Sequence, residues 1–503
     1  MPRLAAVALA TGLTLALLSP GTAFADEAEP APPAPAAPEL QLAQDVLGGE
    51  TTEAVDGDER DATMVLRDLW LARPTMSAAE RRSADALLAR PTIPGKDAYV
   101  SYQPDTPTST ECSQRICVTY VTTTQDRSTP GWAAQVLSTM ESAWTREVDE
   151  LGYRAPAPDG DAGGDSRFDV YLADVSNQGL YGYCAPESAV PGEPARAQAY
   201  CVLDNDMAGF AKGPLASLRV TAAHEFFHAI QFNIDSREDQ WFMEASATWM
   251  EEQVAGEIND NRQFLKSGQL GTPSQPLDTY STDLSMYGNW IFVQRLAQSF
   301  GVDAVRSVWQ RLDASVGKRN LWSLRGVRSY LRSQGAAWPK FYSQFAESNL
   351  TPRRSYEEGK TYRATKVARR LFLSAKRPRA SLNPGLRHLT SHTVRIKAAR
   401  SLPRRTRLVV NVKAKRGGAA DPVARLLVYK KSGKLSRVNI KLDRKGRGQQ
   451  RVSLDRRKVR KVELVLSNAS LRYRDCGSGT AWACGGRPRD DDQRFHVVVR
   501  AVR

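Results

Sequence analysis

Apolar positions fall into three regimes along the chain. Leu4–Leu18 is a short run of apolar and small residues broken only by Thr, with Arg3 before it and Ser19-Pro20-Gly21 after it. With Ala23-Phe24-Ala25 following, this pattern predicts a secretion leader cleaved after Ala25 (residues 1–25). The run is too short to span a bilayer comfortably. Residues 26–38 are Pro/Ala-rich and acidic, the composition of an extended linker. Helical spacing then takes over: Met64-Val65-Leu66, Leu69 and Leu71, followed by SAAERRSADALLAR. There Ser77, with Glu80 three positions on, marks a helix start. Residues 39–97 are therefore expected to be helical, as either a removable pro-segment or a permanent N-terminal subdomain.

From about residue 98 the period changes. Ile116–Val121, Phe168–Leu172 and Ala197–Leu203 are strand-length β-branched or apolar runs, while Trp132–Leu151 and Leu215–Phe232 have helical period. Helices continue over Met286–Gly301, Ala304–Leu312 and Trp322–Ser333. Strands first and helices later predict an α+β domain over 98–350. After Thr351-Pro352 the pattern is of short strands: Val394–Lys397, Leu408–Lys413, Arg425–Tyr429, Val438–Asp443, Gln450–Asp455, Val462–Leu466 and Phe495–Val499. Lys445-Gly446-Arg447-Gly448 has the composition of a hairpin turn. Residues 351–503 are expected to form an all-β, sandwich-like domain.

Composition narrows the class. The 503 residues are 41% hydrophobic and 25% charged, which excludes a collagen-like repeat, a wholly disordered polymer and a multi-span membrane protein. No later segment reaches 18 apolar residues, so no transmembrane segment is expected in the mature chain. The net charge of +15 suggests an acidic partner, but it is an average over two opposed halves. Residues 351–503 carry 42 Lys and Arg against 10 Asp and Glu, leaving 28 against 45 in residues 1–350. An acidic body is joined to a strongly basic tail. Six cysteines suit an oxidising destination. They fall as near neighbours, and loop-closure entropy favours Cys112–Cys117, Cys184–Cys201 and Cys476–Cys484.

The candidate chemistry lies in the acidic half. His224-Glu225-Phe226-Phe227-His228 is an HExxH motif within an apolar helical pattern. Histidines at i and i+4 share one helix face, so both imidazoles reach one ion. Glu225, about 100° round the helix, stands beside that ion as a base for its water. With five histidines in the chain, chance supplies on the order of 0.003 such motifs. A catalytic zinc site needs a third protein ligand and an open position. The next histidine is His388, in the basic half, and Gln231 and Ile234 stand where the HExxHxxGxxH extension has Gly and His. A carboxylate is left. Glu244, set in the apolar stretch from Trp241 to Glu252, is the expected ligand, because an ionised carboxylate buried there needs a partner. Glu251, two turns on, suits a hydrogen bond to a ligand histidine and is the fallback ligand.

These residues carry a resemblance. HEFFHAIQ followed by WFMEASATWMEE resembles the gluzincin metallopeptidases, in which HExxH is followed by Glu on a second helix, and is similar to a group of secreted bacterial metalloproteases. The likeness spans roughly residues 168–301. It implies a zincin-like α+β catalytic domain, one zinc ion held by His224, His228 and Glu244, Glu225 as general base, and peptide hydrolysis. Only 15 residues separate His228 from Glu244, shorter than in the better-known members, which implies a tight connection. Tyr287 is the candidate donor to an oxyanion, with aromatic packing as its alternative. The strand Ala197–Leu203, last before the metal helix, resembles the edge on which zincins pair extended substrate.

Two acidic clusters, Asp159–Asp165 and Asp204–Asp206, could hold Ca2+, although neither matches a twelve-residue calcium loop and solvated turns explain them as well. Cation-rich segments such as Arg404–Lys415 and Arg456–Lys461 suit an anionic cell-surface polymer. A nucleic-acid partner is disfavoured, since the chain carries an export leader and no recognised binding motif. His388, His392 and His496 are expected to be structural. The rival to a secreted peptidase acting on protein or peptide is a secreted anionic-surface-binding protein whose zincin-like domain is structural or inactive.

Overall fold

Three short helices open the structure: α1 (Pro38–Leu47), α2 (Thr63–Ala72) and α3 (Ala78–Leu87). The computed structural model describes residues 37–48, 62–93, 100–281, 284–415 and 420–503. The expected leader at 1–25 and nearly all of the linker at 26–38 lie outside the described residues. At α3 the helix start is made by a complete capping box, with Ser77 Oγ accepting from Glu80 N and Glu80 Oε2 from Ser77 N.

A five-stranded sheet follows: β1 (Thr108–Cys112), β2 (Ile116–Val121), β3 (Phe168–Ala173), β4 (Gly182–Val190) and β5 (Glu193–Asp204). Its order is β1-β2-β3-β5-β4. β2, β3 and β5 run parallel, whereas β1 and β4 are antiparallel borders. The strand read over Ala197–Leu203 is thus interior, and the border next to it is β4, whose Pro, Glu and Ser hid it from a strand search. β2, β3 and the second half of β5 are buried because both faces are covered. One face packs against α4 (Pro130–Trp144) and α5 (Pro214–Asp235). The other carries Tyr171, Tyr183, Tyr200 and Val202 against Leu40, Leu47, Leu66, Leu69 and Leu87 of the first three helices. The helix expected to reach Leu151 leaves α geometry at Trp144 and continues as a π-helical stretch, Thr145–Glu150.

A helical layer completes the body: α6 (Gln240–Ala255), α7 (Ser285–Gly288), α8 (Trp290–Phe300), α9 (Asp303–Trp309), α10 (Ser323–Ser333), α11 (Trp338–Leu350) and the one-turn α12 (Pro352–Ser355). The single helix expected over Met286–Gly301 is broken at Asn289. Its side chain leaves the helix pattern to donate to Leu277 O and accept from Gln269 N.

Strands β6 (Arg369–Leu373), β7 (Arg379–Leu382), β8 (Gly385–Leu386), β9 (Thr390–Ala398), β10 (Arg407–Ala414), β11 (Pro422–Lys430), β12 (Leu435–Asn439), β13 (Arg447–Ser453), β14 (Val459–Asn468), β15 (Tyr473–Arg474), β16 (Arg487–Pro488) and β17 (Gln493–Val502) follow. Two five-stranded sheets, β12-β11-β14-β9-β6 and β13-β10-β17-β7 with β8, share one core of Val, Leu, Ile and Phe. The basic half is therefore a β-sandwich. The expected hairpin at Lys445–Gly448 is a correction: a turn is present there, but β12 pairs with β11 and β13 with β10, in opposite sheets. Local turn composition does not say which sheet a following strand joins.

Ala37–Arg503 forms one compact unit. Part of the basic surplus is consumed inside it, since Glu347 of α11 pairs with Arg425 and Arg437 of the sandwich. At the junction His388 lies between Asp278 (Nε2–Oδ1 2.9 Å) and Asp491 (Nδ1–Oδ1 2.6 Å). Burial opposes its charge, but the two carboxylates outweigh it and raise its pKa to about 9. A raised folded pKa stabilises the fold fully below the unfolded value of about 6.5, and that contribution is lost as pH rises through 9. We expect the unfolding free energy from urea titration to fall between pH 6.5 and 9, by about 3 kcal/mol or less. His388→Gln should flatten that slope. An equal slope in the variant would assign it to other groups.

Candidate metal centre

The motif helix α5 begins at Gly213, whose φ of 79° favours glycine, with Pro214 at the first helical position. From Val220 to Asp235 every residue is buried, as expected for a helix apolar on all sides. The turn of residues 236–239 joins α5 directly to α6, and Ser236 anchors it by donating to Ala195 O. This short connection lays Glu244, on the second turn of α6, against the two histidines.

His224, His228 and Glu244 offer ligand atoms that all lie within 4.8 Å of one another; it is the one such group among the described residues. Both histidines present Nε2 to the same carboxylate oxygen, Glu244 Oε2, at 3.2 Å and 3.6 Å. Their other nitrogens are held from behind: His224 Nδ1 lies 3.0 Å from Glu251 Oε1, and His228 Nδ1 2.7 Å from Gln231 Oε1. The Gln231 amide cannot turn, because its Nε2 donates to Met243 O and Ser246 Oγ. Its Oε1 must then accept, so His228 donates from Nδ1, and in the neutral imidazole Nε2 is then a lone pair. That Nε2 is buried and without a hydrogen-bond partner. A lone pair facing a carboxylate oxygen is repulsive in the absence of a cation. Two imidazole nitrogens and a carboxylate, converging and oriented by outer partners, are the donor set that suits zinc. The residues fit the ion.

Glu225 lies on the same helix, 1% exposed, with Oε2 accepting a 2.8 Å hydrogen bond from Thr63 Oγ1 of α2. Thr63 Oγ1 also accepts from Cys184 N of β4. Tyr287 of α7 is buried with its ring 5.9 Å from the His224 ring. The Glu147 carboxyl, on the π-helical stretch, is fully buried with neither oxygen partnered, and burial pushes its pKa well above the usual carboxylate range. Beneath the site, Cys184 and Cys201 face each other across β4 and β5 and are bonded, as are Cys112–Cys117 and Cys476–Cys484.

The structure brings His224, His228, Glu244, Glu225, Glu251 and Tyr287 together. The acidic clusters are otherwise engaged. Asp204 accepts from the amides of Ser176 and Met207, Asp206 from Ala208 N, Asp165 from Arg167, and Asp159 pairs with Arg90. His392 and His496 lie in the sandwich, and His496 Nδ1 contacts Asn383 Oδ1. Sequence reasoning did not pick out Gln231, Thr63 or Glu147 as members of the site. Gln231 had a usable signal, a polar side chain three residues beyond His228 in an apolar helix. Thr63 had none, being 162 residues from Glu225.

Residues 119–320 match the model of DUF6055, a family of unknown function. No curated protein matches. Among solved structures, the chain is similar to Legionella pneumophila aminopeptidase A in complex with aspartic acid, at 12% identity and a TM-score of 0.33, over 74% of this chain and 38% of that one. The pre-peptidase C-terminal domain of Bacillus anthracis collagenase overlaps 27% of the chain and 97% of its own length, at 8% identity and a TM-score of 0.16. An Aeromonas hydrophila periplasmic inhibitor of g-type lysozyme does so over 27% and 98%, at 12% and 0.15. At these scores none of the likenesses decides fold or chemistry. No described helix is long and apolar enough to cross a membrane.

Proposed function

We propose that the protein is a secreted zinc peptidase with a zincin-like catalytic domain and a basic β-sandwich. One observation carries this reading: two histidine Nε2 atoms converge on one buried carboxylate oxygen, with Nδ1 of His228 turned away to Gln231, beside the glutamate that completes HExxH. A zinc ion held by His224, His228 and Glu244 would polarise a scissile carbonyl and acidify a water near neutral pH. Glu225 takes the proton of the attacking water and passes it to the leaving amine. Tyr287, whose buried ring lies 5.9 Å from that of His224, is the candidate donor to the oxyanion that develops at the carbonyl. Glu251 and Gln231 orient the imidazoles from their Nδ1 sides, so that both Nε2 atoms face Glu244. Three disulfides and the leader sequence support secretion, and the cation-rich sandwich suits retention on an anionic cell-surface polymer.

The burial of the whole donor set favours a second reading, in which the zinc site is structural or inactive and the sandwich is the working part. Metal removal separates the two. Full-length protein should contain about one zinc per chain and hydrolyse a denatured protein. Phenanthroline treatment should abolish both properties, and added zinc should restore both. Zinc without hydrolysis under any condition would leave the structural reading standing.

A further inference from the structure

Nothing larger than water reaches the metal centre in this fold, since His224, Glu225, His228 and Glu244 are each exposed by 3% or less. Part of what lies over it is α2. Thr63, at its first position, bridges the motif helix and the sheet border: it donates to Glu225 and accepts from Cys184 N, on the border strand β4. A border-strand amide is the group that pairs with an extended peptide added to a sheet. One turn on, and so on the same helix face about 6 Å away, Arg67 reaches the α5–α6 turn. Its Nη1 donates to Glu238 O at 2.7 Å and lies 3.6 Å from Met243 Sδ. Met243 is the residue before the ligand Glu244.

Arg67 enters a cavity of about 780 Å³ formed by α2, the α5–α6 turn and the Cys476–Cys484 loop. Asp68, Asp235, Glu238 and Asp239 line it, against Arg237 at an exposed position. Glu238 is 3% exposed, and its Oε2 has no hydrogen-bond partner. Burial, together with the neighbouring Asp239 and Asp235, pushes Glu238 well above the usual carboxylate range. Burial raises Asp235 to about 6 and Asp239 to about 7. Arg67 forms its ion pair with Asp68, so Asp235, Glu238 and Asp239 are gathered here without an ion pair among the described residues, and drawing carboxylates out of water without a cation is costly.

We propose that the first turn of α2 is a built-in occupant of the substrate cleft, and that the cavity receiving Arg67 is a subsite for a guanidinium or ammonium side chain of the substrate. This rests on the peptidase reading of the same centre and adds to it a substrate class, peptides with a basic residue, and a form of self-inhibition. The three-helix layer as a whole stays docked. Its buried leucines, Leu40, Leu47, Leu66, Leu69 and Leu87, pack against the sheet and hold it there. Opening is therefore local, a displacement of the Thr63 and Arg67 side chains that a basic peptide drives by competing for the same groups.

The test has two arms on the full chain. In the first, Trp241 and Trp322, which line the cavity, report binding by fluorescence. Arg67→Ala should show saturable binding of arginine amide and none of norleucine amide, with the wild type at least about tenfold weaker. Arg67→Gln, which removes the charge and keeps polar contacts, serves the same purpose if the alanine variant does not fold. A variant blind to arginine amide, or equally responsive to norleucine amide, overturns the subsite. In the second arm, zinc-loaded Thr63→Ala/Arg67→Ala should raise kcat/KM on an arginine-containing peptide at least about tenfold over wild type, with a smaller rise on its glutamate counterpart. Unchanged hydrolysis that remains sensitive to Glu225→Gln overturns the cover and leaves the peptidase reading intact. Absence of hydrolysis in every variant overturns the peptidase reading, and the titration still decides the subsite.

Discussion

Glu225→Gln should lose peptide hydrolysis by about 10²–10⁴-fold in kcat, the range general-base removal commands, while the zinc content stays near one per chain. The two side chains have the same shape, and the amide oxygen of a glutamine still accepts the 2.8 Å hydrogen bond that Thr63 Oγ1 now gives the carboxylate. Packing around α5 is thus preserved, and only the capacity to hold a proton disappears. Because Glu225 is not among the converging donors, metal content and hydrolysis should separate cleanly. Metal analysis beside a kinetic assay checks this. Full activity in the variant would sink the assignment of Glu225 as base, and loss of zinc would move it into the ligand set.

The second large effect concerns the ligands. Glu244→Ala removes the carboxylate that both Nε2 atoms face and should reduce zinc affinity beyond the ~10–100-fold that loss of an outer partner costs. Gln231→Leu and Glu251→Gln test those outer partners. Each should fall within that smaller range, because the histidines remain but lose a fixed tautomer or a charged acceptor. Titration against a competing chelator gives the order. Unchanged affinity in Glu244→Ala would transfer the third position to Glu251, which lies 3.0 Å from the opposite nitrogen of His224.

The candidate site was legible in proportion to how local it is. HExxH is read from five consecutive residues, because i and i+4 on a helix share a face whatever surrounds them. Glu244 was legible as a charge set among Trp, Phe, Met and Ala. The fold was legible where period and burial agree, as in Ile116–Val121, which is β2 to the residue. It was less so where function or pairing interrupts the pattern. Border strand β4 carries Pro, Glu and Ser, and the break at Asn289 depends on partners twenty residues upstream.

The amino-acid sequence by itself determined the metal motif, the neighbouring cysteine pairs, the acidic body and the basic sandwich, since each follows from spacing or composition within a few dozen residues. Only the tertiary structure decided that β4 rather than β5 borders the sheet, and that Gln231 Oε1 faces Nδ1 of His228. It also decided that Thr63 and Arg67 lie over the centre. Strand order and helix docking depend on which apolar faces meet, and those contacts join residues 160 or more positions apart, a distance over which local period carries no information.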